Sequence, residues 1–424
     1  MLKDRYDEAL STRSPEARDA YVEGVDRMLA GAADAEKFHR QAIEADPAFV
    51  LAHVALARAH QFLGDGRAAR GAIEAARQAG GGMTAREASH LEAMAMLVSG
   101  DMPGAYAAIR AHLLDHPRDA VIAQTCCGVF GLIGFSGQHG REAEQLAFTT
   151  TLVPHYGDDW WFLGQHAFSQ VEAGQTSLAD RSIDRALEGN RASAHNVHIR
   201  AHVDYEAGGA EIGLKRLEDW IPGLDRTAIM HCHISWHIAL WRLAAGDVEG
   251  MWQAYDEGVS PDGTWGPSIN VITDAAALLY RAHLAGVDVP PDRWRRIAEY
   301  GSKTFPRTGI GFVDAHAALA FAMAGDTAEL SRIVENARGP AGDLVKTLAE
   351  AFGDMATGRW APAADRLVSV MAEHERLGGS RAQRDLVEFA LAETLKQQDR
   401  AGEARRTILM RRPIHTPGAV IAGL

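Results

Sequence analysis

Cysteine is nearly absent from this chain of 424 residues. Only three occur, and two of them, Cys126 and Cys127, are adjacent, which excludes a disulfide framework and favours a reducing compartment. The start, MLKDRYDEAL, lacks the apolar core of a secretory signal, and no apolar run approaches the ~20 residues that cross a bilayer. We therefore expect a cytoplasmic protein with no membrane partner.

Basic residues are also in deficit. The chain has 43 lysines and arginines against 56 acidic residues, a formal net charge of −13 at pH 7. A field of this sign repels phosphate backbones, so nucleic acid is not an expected partner. Hydrophobic residues make up 47% of the chain and charged residues 23%, which excludes an intrinsically disordered protein.

The sequence motifs of several enzyme classes are missing. There is no phosphate-binding P-loop, no dinucleotide glycine fingerprint and no C-x-x-C. Gly-Phe-Ser-Gly at 134–137 lacks the spacing of a hydrolase nucleophile elbow. Cys232, between two histidines, could be a thiolate nucleophile, but a small buried apolar residue is the more favoured interpretation.

A small residue followed by glycine recurs along the chain and ends a series of amphipathic segments. These marker glycines are Gly64, Gly100, Gly174, Gly208, Gly246, Gly325 and Gly358. Their spacings are 36, 74, 34, 38, 79 and 33 residues. If 74 and 79 are double steps, every interval lies near the ~34 residues of a tetratricopeptide helix–turn–helix unit.

The residues between the markers agree with that unit. Apolar residues in ARGAIEAARQA and ADRSIDRALEG recur every three or four positions, one stripe per helix. Asp46-Pro47 and His116-Pro117 are placed to end second helices, because proline cannot continue a helix. The predicted fold is all-α: a right-handed α–α solenoid of degenerate tetratricopeptide-type helix hairpins, in one array over residues 1–424.

Three segments interrupt the period. Residues 128–158, 255–275 and 301–312 are rich in glycine, proline or serine and are predicted to be irregular, with a turn at GQHG. Long loops in a regular array are often functional or form interfaces. A homodimer formed through 255–275 or through a terminal repeat is therefore left open.

Histidine is concentrated in the middle of the chain. Nine of the 19 histidines lie between His139 and His237, and seven of the nine tryptophans lie between Trp160 and Trp265. Two histidine pairs have i,i+4 spacing and so share a helix face: His198 with His202, and His233 with His237. Neither pair has the glutamate that follows the first histidine of a zincin, which argues against a metalloprotease.

The repeat register gives the histidines a common location. His166, His198, His237 and His316 stand eight to ten residues before a marker glycine, which places them on the first helices of their units. First helices line the concave side of such arrays. We therefore predict a ring of imidazoles on the inner wall, with carboxylates from Asp314, Asp204 and Glu206 near it.

This ring defines the candidate site residues. The candidate catalytic residues are His198, His202, His233, His237, His316 and Asp314. The candidate metal ligands are His198, His202, His233 and His237. The candidate ligand-binding residues are His166, Trp161, Trp236, Tyr205 and Arg384. A buried histidine bound only by hydrogen bonds is the competing interpretation for each imidazole. The cofactor prediction is likewise open between none, a divalent metal ion and haem iron.

The segment Leu377-Gly-Gly-Ser-Arg-Ala-Gln-Arg-Asp385 resembles the Gly-Gly-Ser-x-Ala-Gln-Arg-Asp signature of the tetratricopeptide repeat protein 38 family. HIRAHVDYEAG, HISWHIALWRLAAGD, DAAALLYRAHLAG, DAHAALAFAMAGD and RRPIHTPG are also similar to that family. The resemblance covers about residues 121–424, whereas 1–120 match only as generic repeats. It implies a cytosolic α-solenoid and brings no catalytic role with it. Independently, Ser380 is placed to cap a helix, and Arg384 and Asp385 could form a fixed ion pair.

Two functions are compatible with this sequence. The first is a small-molecule site on the concave wall, in which histidines act as acids and bases or hold a metal. Such a site is compatible with hydrolysis, hydration or elimination. The second is a non-enzymatic scaffold that holds a peptide or protein in the concave groove. A closed array would favour the first, and an open, charged groove the second.

Overall fold

The marker glycines end the first helices of the repeats in the left-handed backbone conformation. In the computed structural model, which describes residues 1–411 and 420–424, the seven have φ angles of 71° to 92°. Glycine adopts this conformation at no steric cost. Gly286, with φ of 80°, stands at one skipped step after a helix, and Gly137, with φ of 67°, stands at the other within a loop. The intervals of 74 and 79 residues are therefore double steps, as predicted.

Helix pairs fill the described part of the chain. The first twelve helices are α1 (Pro15–Ala30), α2 (Ala35–Ala45), α3 (Val50–Phe62), α4 (Gly66–Ala79), α5 (Ala85–Ser99), α6 (Met102–Asp115), α7 (Ala120–Gln124), α8 (Arg141–Tyr156), α9 (Trp160–Glu172), α10 (Thr176–Gly189), α11 (Ala194–Glu206) and α12 (Ala210–Trp220). Asp46 and His116 are the C-cap residues of α2 and α6, so the predicted proline stops are confirmed.

The pairing continues to the end of the array. The remaining helices are α13 (His231–Ala244), α14 (Val248–Ala254), α15 (Ser268–Leu284), α16 (Pro291–Thr304), α17 (Gly311–Ala324), α18 (Thr327–Asn336), α19 (Gly342–Ala356), α20 (Trp360–Met371), α21 (Arg381–Lys396) and α22 (Ala401–Arg411). A π-helical turn at Tyr255–Val259 follows α14. Most helices pack on their neighbours in sequence, so the fold is an all-α tetratricopeptide-like solenoid, as predicted.

The segments predicted to be irregular are shorter than expected. Helix α8 covers 141–156, so only 125–140 is irregular in that region, and the predicted turn at 137–140 contains two glycines with positive φ. The run Thr149–Thr151 lowers helix propensity, but packing of α8 on α9 outweighs it. Helix α15 begins at Ser268, so 268–275 is helical rather than loop. Between α16 and α17 only 305–310 is irregular.

Helix α21 lies inside the array. It packs on α20 and α22 along the chain and also on the first helices α11 and α15, and 14 of its 16 residues are buried. A helix in this position packs against the inner wall, for which the sequence left an enclosed pocket and an open groove as alternatives. The RRPIHTPG stretch that follows α22 lies, from residue 412 onward, outside the described residues.

Hydrogen bonds also join parts of the array that are far apart in the sequence. Arg141 donates from Nε to the carbonyl of Glu375 (2.6 Å) and from Nη2 to that of Gly379 (2.5 Å). At the other end, Arg5 donates from Nη1 to Asp159 Oδ2 at 2.7 Å. Among the described residues, every helix is too short or too polar to cross a bilayer.

Candidate metal site

Two helices of the central repeats bring four imidazoles together. Ser193 caps α11 by accepting a hydrogen bond from the Asn196 amide, which fixes the start of the helix that carries His198 and His202. His233 and His237 lie on α13, the first helix of the next pair. The i,i+4 spacing places both members of each pair on one face, and the two faces meet. One ligand nitrogen from each of the four lies within 4.8 Å of the others.

The four rings are closely packed. Their centroids are 4.5 to 6.3 Å apart, taken over all six pairs. His202 Nε2 and His198 Nε2 are in hydrogen-bond contact at 2.8 Å. All four side chains are buried, with residue exposures of 6%, 1%, 4% and 1% in sequence order. The predicted metal ligands therefore form one cluster.

Burial disfavours the charged form of three of the four imidazoles. It is the main cause, followed by the neighbouring imidazoles, that lowers the pKa of His198, His202 and His237 well below its ordinary value. A neutral imidazole has a free lone pair, which is the form that binds a metal ion. Both ring nitrogens of His237 also have no hydrogen-bond partner among the described residues.

Two buried carboxylates stand behind the cluster. Asp274 Oδ2, on α15, lies 2.7 Å from His233 Nδ1 and so directs the Nε2 lone pair of that ring inward. Glu172 Oε1, at the end of α9, lies 4.0 Å from His202 Nδ1. Burial, reinforced by the Glu142 carboxylate, raises the pKa of Glu172 to about 7. A carboxylate hydrogen-bonded to the outer nitrogen is the usual partner of a metal-binding histidine, and Asp274 meets this description for His233.

Aromatic rings line the remaining sides of the cluster. The indole of Trp236 stacks on His233 with ring centroids 5.1 Å apart and planes 12° apart. Trp241 lies 5.9 Å from His237, and Phe168 lies 5.0 Å from His202. Apolar walls exclude water, which strengthens the interaction of a bound cation with its ligands.

The spacing of the four imidazoles suits a metal ion without a porphyrin. A tetrahedral ion with metal–nitrogen bonds of ~2.0–2.1 Å separates its ligand nitrogens by about 3.3 Å, so small side-chain shifts would close the cluster on an ion. The 2.8 Å contact between His198 and His202 would open slightly. The packed rings leave no gap for a porphyrin, so the arrangement disfavours the haem alternative.

A second histidine cluster is chemically different. His90, His112 and Asp119 also have ligand atoms within 4.8 Å of one another. However, Arg86 Nη1 donates to Asp119 Oδ2 at 2.6 Å, the same oxygen that lies 2.9 Å from His90 Nδ1 and 3.2 Å from His112 Nε2. The guanidinium already supplies the cation, so this cluster ties α5 and α6 to the start of α7.

A cleft of about 410 Å³ lies near the four-histidine cluster and is lined by Glu142, Arg381 and Arg384, among others. Arg384 lines this cleft and forms an ion pair with Glu142, while its Nη2 lies 3.7 Å from Glu172 Oε2. Arg384 and Asp385 do not pair with each other as predicted. Asp385 instead accepts a hydrogen bond from the Tyr205 hydroxyl at 2.7 Å.

No protein-family model matches the chain. Among solved structures it aligns with a human IFIT1 dimer with m7Gppp-AAAA at 14% identity, over 95% of this chain and 92% of that chain, with a TM-score of 0.42. It aligns with yeast Tom70 at 13% identity, over 93% of this chain and 84% of that chain, with a TM-score of 0.37. At these values the alignments say nothing about what this chain binds.

Other predicted site residues lie outside the four-histidine cluster. His316 Nδ1 contacts the carbonyl of Phe312 at 2.7 Å, and Asp314 accepts a hydrogen bond from the Gly309 amide. His166 is half-buried against Thr149, with 3.0 Å between Nδ1 and Oγ1. Trp161 packs against Tyr6, Tyr156 and Phe162 in the hydrophobic core. Asp204 pairs with Arg200 and Arg216, and Glu206 with Arg381.

Sequence reasoning missed the two outer carboxylates and Gln383. Asp274 was missed because residues 255–275 were predicted to form an irregular loop. It is the only acidic residue in the apolar helix α15, and a lone acid in such a helix signals a buried partner. Glu172 ends the apolar helix α9 in the same manner.

Proposed function

We propose that this protein is a tetratricopeptide-like solenoid that binds a divalent first-row metal ion through His198, His202, His233 and His237. The observation that carries the proposal is the buried convergence of four ligand nitrogens within 4.8 Å. Imidazole suits Zn²⁺, Cu²⁺, Fe²⁺ and Ni²⁺, so the expected cofactor is an ion of this group.

The coordination number decides what the ion does. With four imidazoles, a tetrahedral ion such as Zn²⁺ has every position filled and stabilises the fold. An ion that prefers six ligands keeps two positions for water or a small molecule, and it then supplies Lewis-acid activation. Hydrolytic, hydration or elimination chemistry on a small molecule belongs to this second case. Membership of the tetratricopeptide repeat protein 38 family, supported by residues 378–385, is part of the same proposal.

A peptide-binding scaffold is less well supported. Tetratricopeptide-like arrays hold peptides on the concave face, but helix α21 packs against the first helices α11 and α15 here. A peptide would have to displace a helix that is buried along most of its length. The metal site requires no such rearrangement.

The test is metal analysis of the full chain. Protein purified without an affinity metal would be analysed by mass spectrometry for metals, and apoprotein would be titrated with Zn²⁺, Co²⁺ and anaerobic Fe²⁺. We expect one ion per chain with submicromolar affinity and loss of that ion in the double variant His233→Ala/His237→Ala.

The matched control is His90→Ala, which removes a histidine from the second cluster. We expect it to keep the full metal content, since His90 contacts Asp119 and not the four-histidine site. Absence of stoichiometric binding in the wild type, or binding that the double variant retains, would overturn the proposal.

A further inference from the structure

The first turn of α21 contacts both outer carboxylates of the site. Gln383 Nε2 donates to Asp274 Oδ1 in a long hydrogen bond of 3.5 Å. The backbone N–H of Arg381 donates to Glu172 Oε2 at 2.8 Å. These two donors lie about 150 residues beyond the last histidine of the cluster, within the segment Gly378–Asp385.

Each carboxylate uses its second oxygen toward an imidazole. Asp274 faces Gln383 with Oδ1 and His233 with Oδ2, at 2.7 Å. Glu172 faces Arg381 with Oε2 and His202 with Oε1, at 4.0 Å. One chain of hydrogen bonds therefore runs from Gln383 through Asp274 to His233 on α13. Glu172, held by the same helical turn, lies beside His202 without a hydrogen bond to it.

The position of these donors is itself fixed. Ser380 caps α21 through a reciprocal capping box. The Ser380 hydroxyl accepts a hydrogen bond from the backbone N–H of Gln383, and Gln383 Oε1 accepts one from the backbone N–H of Ser380 at 2.9 Å. With its oxygen held by the cap, the Gln383 side chain can only present its NH₂ group to Asp274. The positive end of the helix dipole also lies beside the two carboxylates, which stabilises their charge.

Further contacts hold the turn against the same helices. Arg281 Nη2, on α15, donates to the carbonyl of Ala382 at 2.9 Å. The Tyr205 hydroxyl, on α11, donates to Asp385 at 2.7 Å. The turn is thereby fastened to the helices that carry His202 and Asp274.

We infer that Gln383 is a positioning residue of the metal site, acting through Asp274 on His233. The inference rests on the proposed metal site. It explains why the Gly-Gly-Ser-x-Ala-Gln-Arg-Asp segment lies where it does: the segment supplies an outer hydrogen bond that orients a ligand.

The experiment compares two changes in one capping box of the full chain. Gln383→Glu keeps an oxygen for the Ser380 amide but replaces the donor toward Asp274 with an acceptor. Ser380→Ala removes the cap side chain and keeps the Gln383 donor. The measurements are the Zn²⁺ affinity, by competition with a chromophoric chelator, and the visible spectrum of bound Co²⁺, which reports ligand geometry.

We expect Gln383→Glu to weaken Zn²⁺ binding about 10- to 100-fold and to change the Co²⁺ bands. Ser380→Ala should lower the melting temperature yet keep the Zn²⁺ affinity within about threefold of the wild type, because the Ser380 backbone N–H that holds Gln383 Oε1 is retained. Asp274→Asn should reproduce the altered Co²⁺ spectrum, and the double variant should be no weaker than the single ones, because both changes break one contact chain.

The two proposals fail in different ways. If wild-type protein takes up neither Zn²⁺ nor Co²⁺, the proposed function is wrong. If wild-type protein binds both and Gln383→Glu keeps the affinity and the spectrum, the positioning role is wrong. Gln383→Met, which is uncharged and similar in length, replaces Gln383→Glu should that variant fail to fold, and the same two readouts decide.

Discussion

His202 Nε2 lies 2.8 Å from His198 Nε2, with both rings buried and neutral. One imidazole must donate its proton to the other, since two lone pairs at this distance repel each other. In a chain without metal this hydrogen bond is the only compensation for burying both nitrogens. A bound ion would replace it with two coordinate bonds, so the pair links metal binding to the stability of α11.

Metal binding should therefore raise the melting temperature. With free Zn²⁺ at 100 times its dissociation constant, linkage predicts about 2.7 kcal/mol of added stability. Differential scanning calorimetry would show a rise that a chelator reverses. His198→Ala/His202→Ala should abolish the response and His90→Ala should retain it. An equal rise in both variants would locate the ion elsewhere.

The cysteines should be unreactive in the folded protein. Cys126, Cys127 and Cys232 are buried, and burial raises the pKa of Cys126 to about 12 and that of the other two well above the ordinary value. Because the thiolate is the reactive species, Ellman's reagent at pH 8 should detect no thiol until the protein is unfolded, and three afterwards. Rapid labelling of Cys232 in native protein would contradict this prediction and support Cys232 as a thiolate nucleophile.

Two glycines with matched backbone angles should respond differently to alanine. Gly379 has φ of 74°, and a Cβ there would lie 2.3 Å from the ring of Phe312. Gly325 has φ of 73° and nothing within 4 Å of that position. Gly325→Ala should cost about 1 kcal/mol from backbone strain alone.

Gly379→Ala should cost about 1 to 3 kcal/mol more, because Phe312 must move from its buried position. Urea unfolding of both variants measures the difference. Equal costs would mean that Phe312 yields freely and that the close approach at Gly379 does not fix the start of α21.

Local chemistry made much of this architecture predictable. Glycine at helix ends and proline after them are signals that act within one helical turn, so Gly64 or Pro47 could be interpreted without knowing the fold. The i,i+4 histidine pairs are equally local. The meeting of the two pairs follows from the repeat register, which places α11 and α13 side by side.

Longer-range features were not accessible in this way. The position of α21 against α11 and α15 depends on the pitch of the array. That pitch is the sum of small rotations between successive repeats. The sequence therefore gave no indication that Gln383 would contact Asp274. Trp161 was a candidate ligand-binding residue, yet it lies in the hydrophobic core. Its neighbour Trp160 is the half-buried one, beneath the Arg5 guanidinium.

His39 should make the stability of the folded protein depend on pH. This imidazole lies on α2, is fully buried, and has no hydrogen-bond partner among the described residues on either nitrogen. Burial lowers its pKa from 6.5 to about 3. The unfolded chain therefore binds a proton at His39 that the folded chain excludes, so its contribution to stability is complete above pH 6.5 and is lost as the pH falls toward 3. Between pH 7 and pH 5 the loss of stability from this one residue is about 2 kcal/mol.

Other buried histidines add their own losses, so the measurement is a difference between two proteins. Urea unfolding of wild type and of His39→Leu, both in chelator, would be measured at half-unit steps over that pH range. The free energy of unfolding of wild type should fall by about 2 kcal/mol more than that of His39→Leu as the pH falls, because leucine takes up no proton in either state. Parallel curves would show that a proton reaches His39 in the folded protein, and hence that the packing of α2 on Gly24 of α1 opens at acid pH.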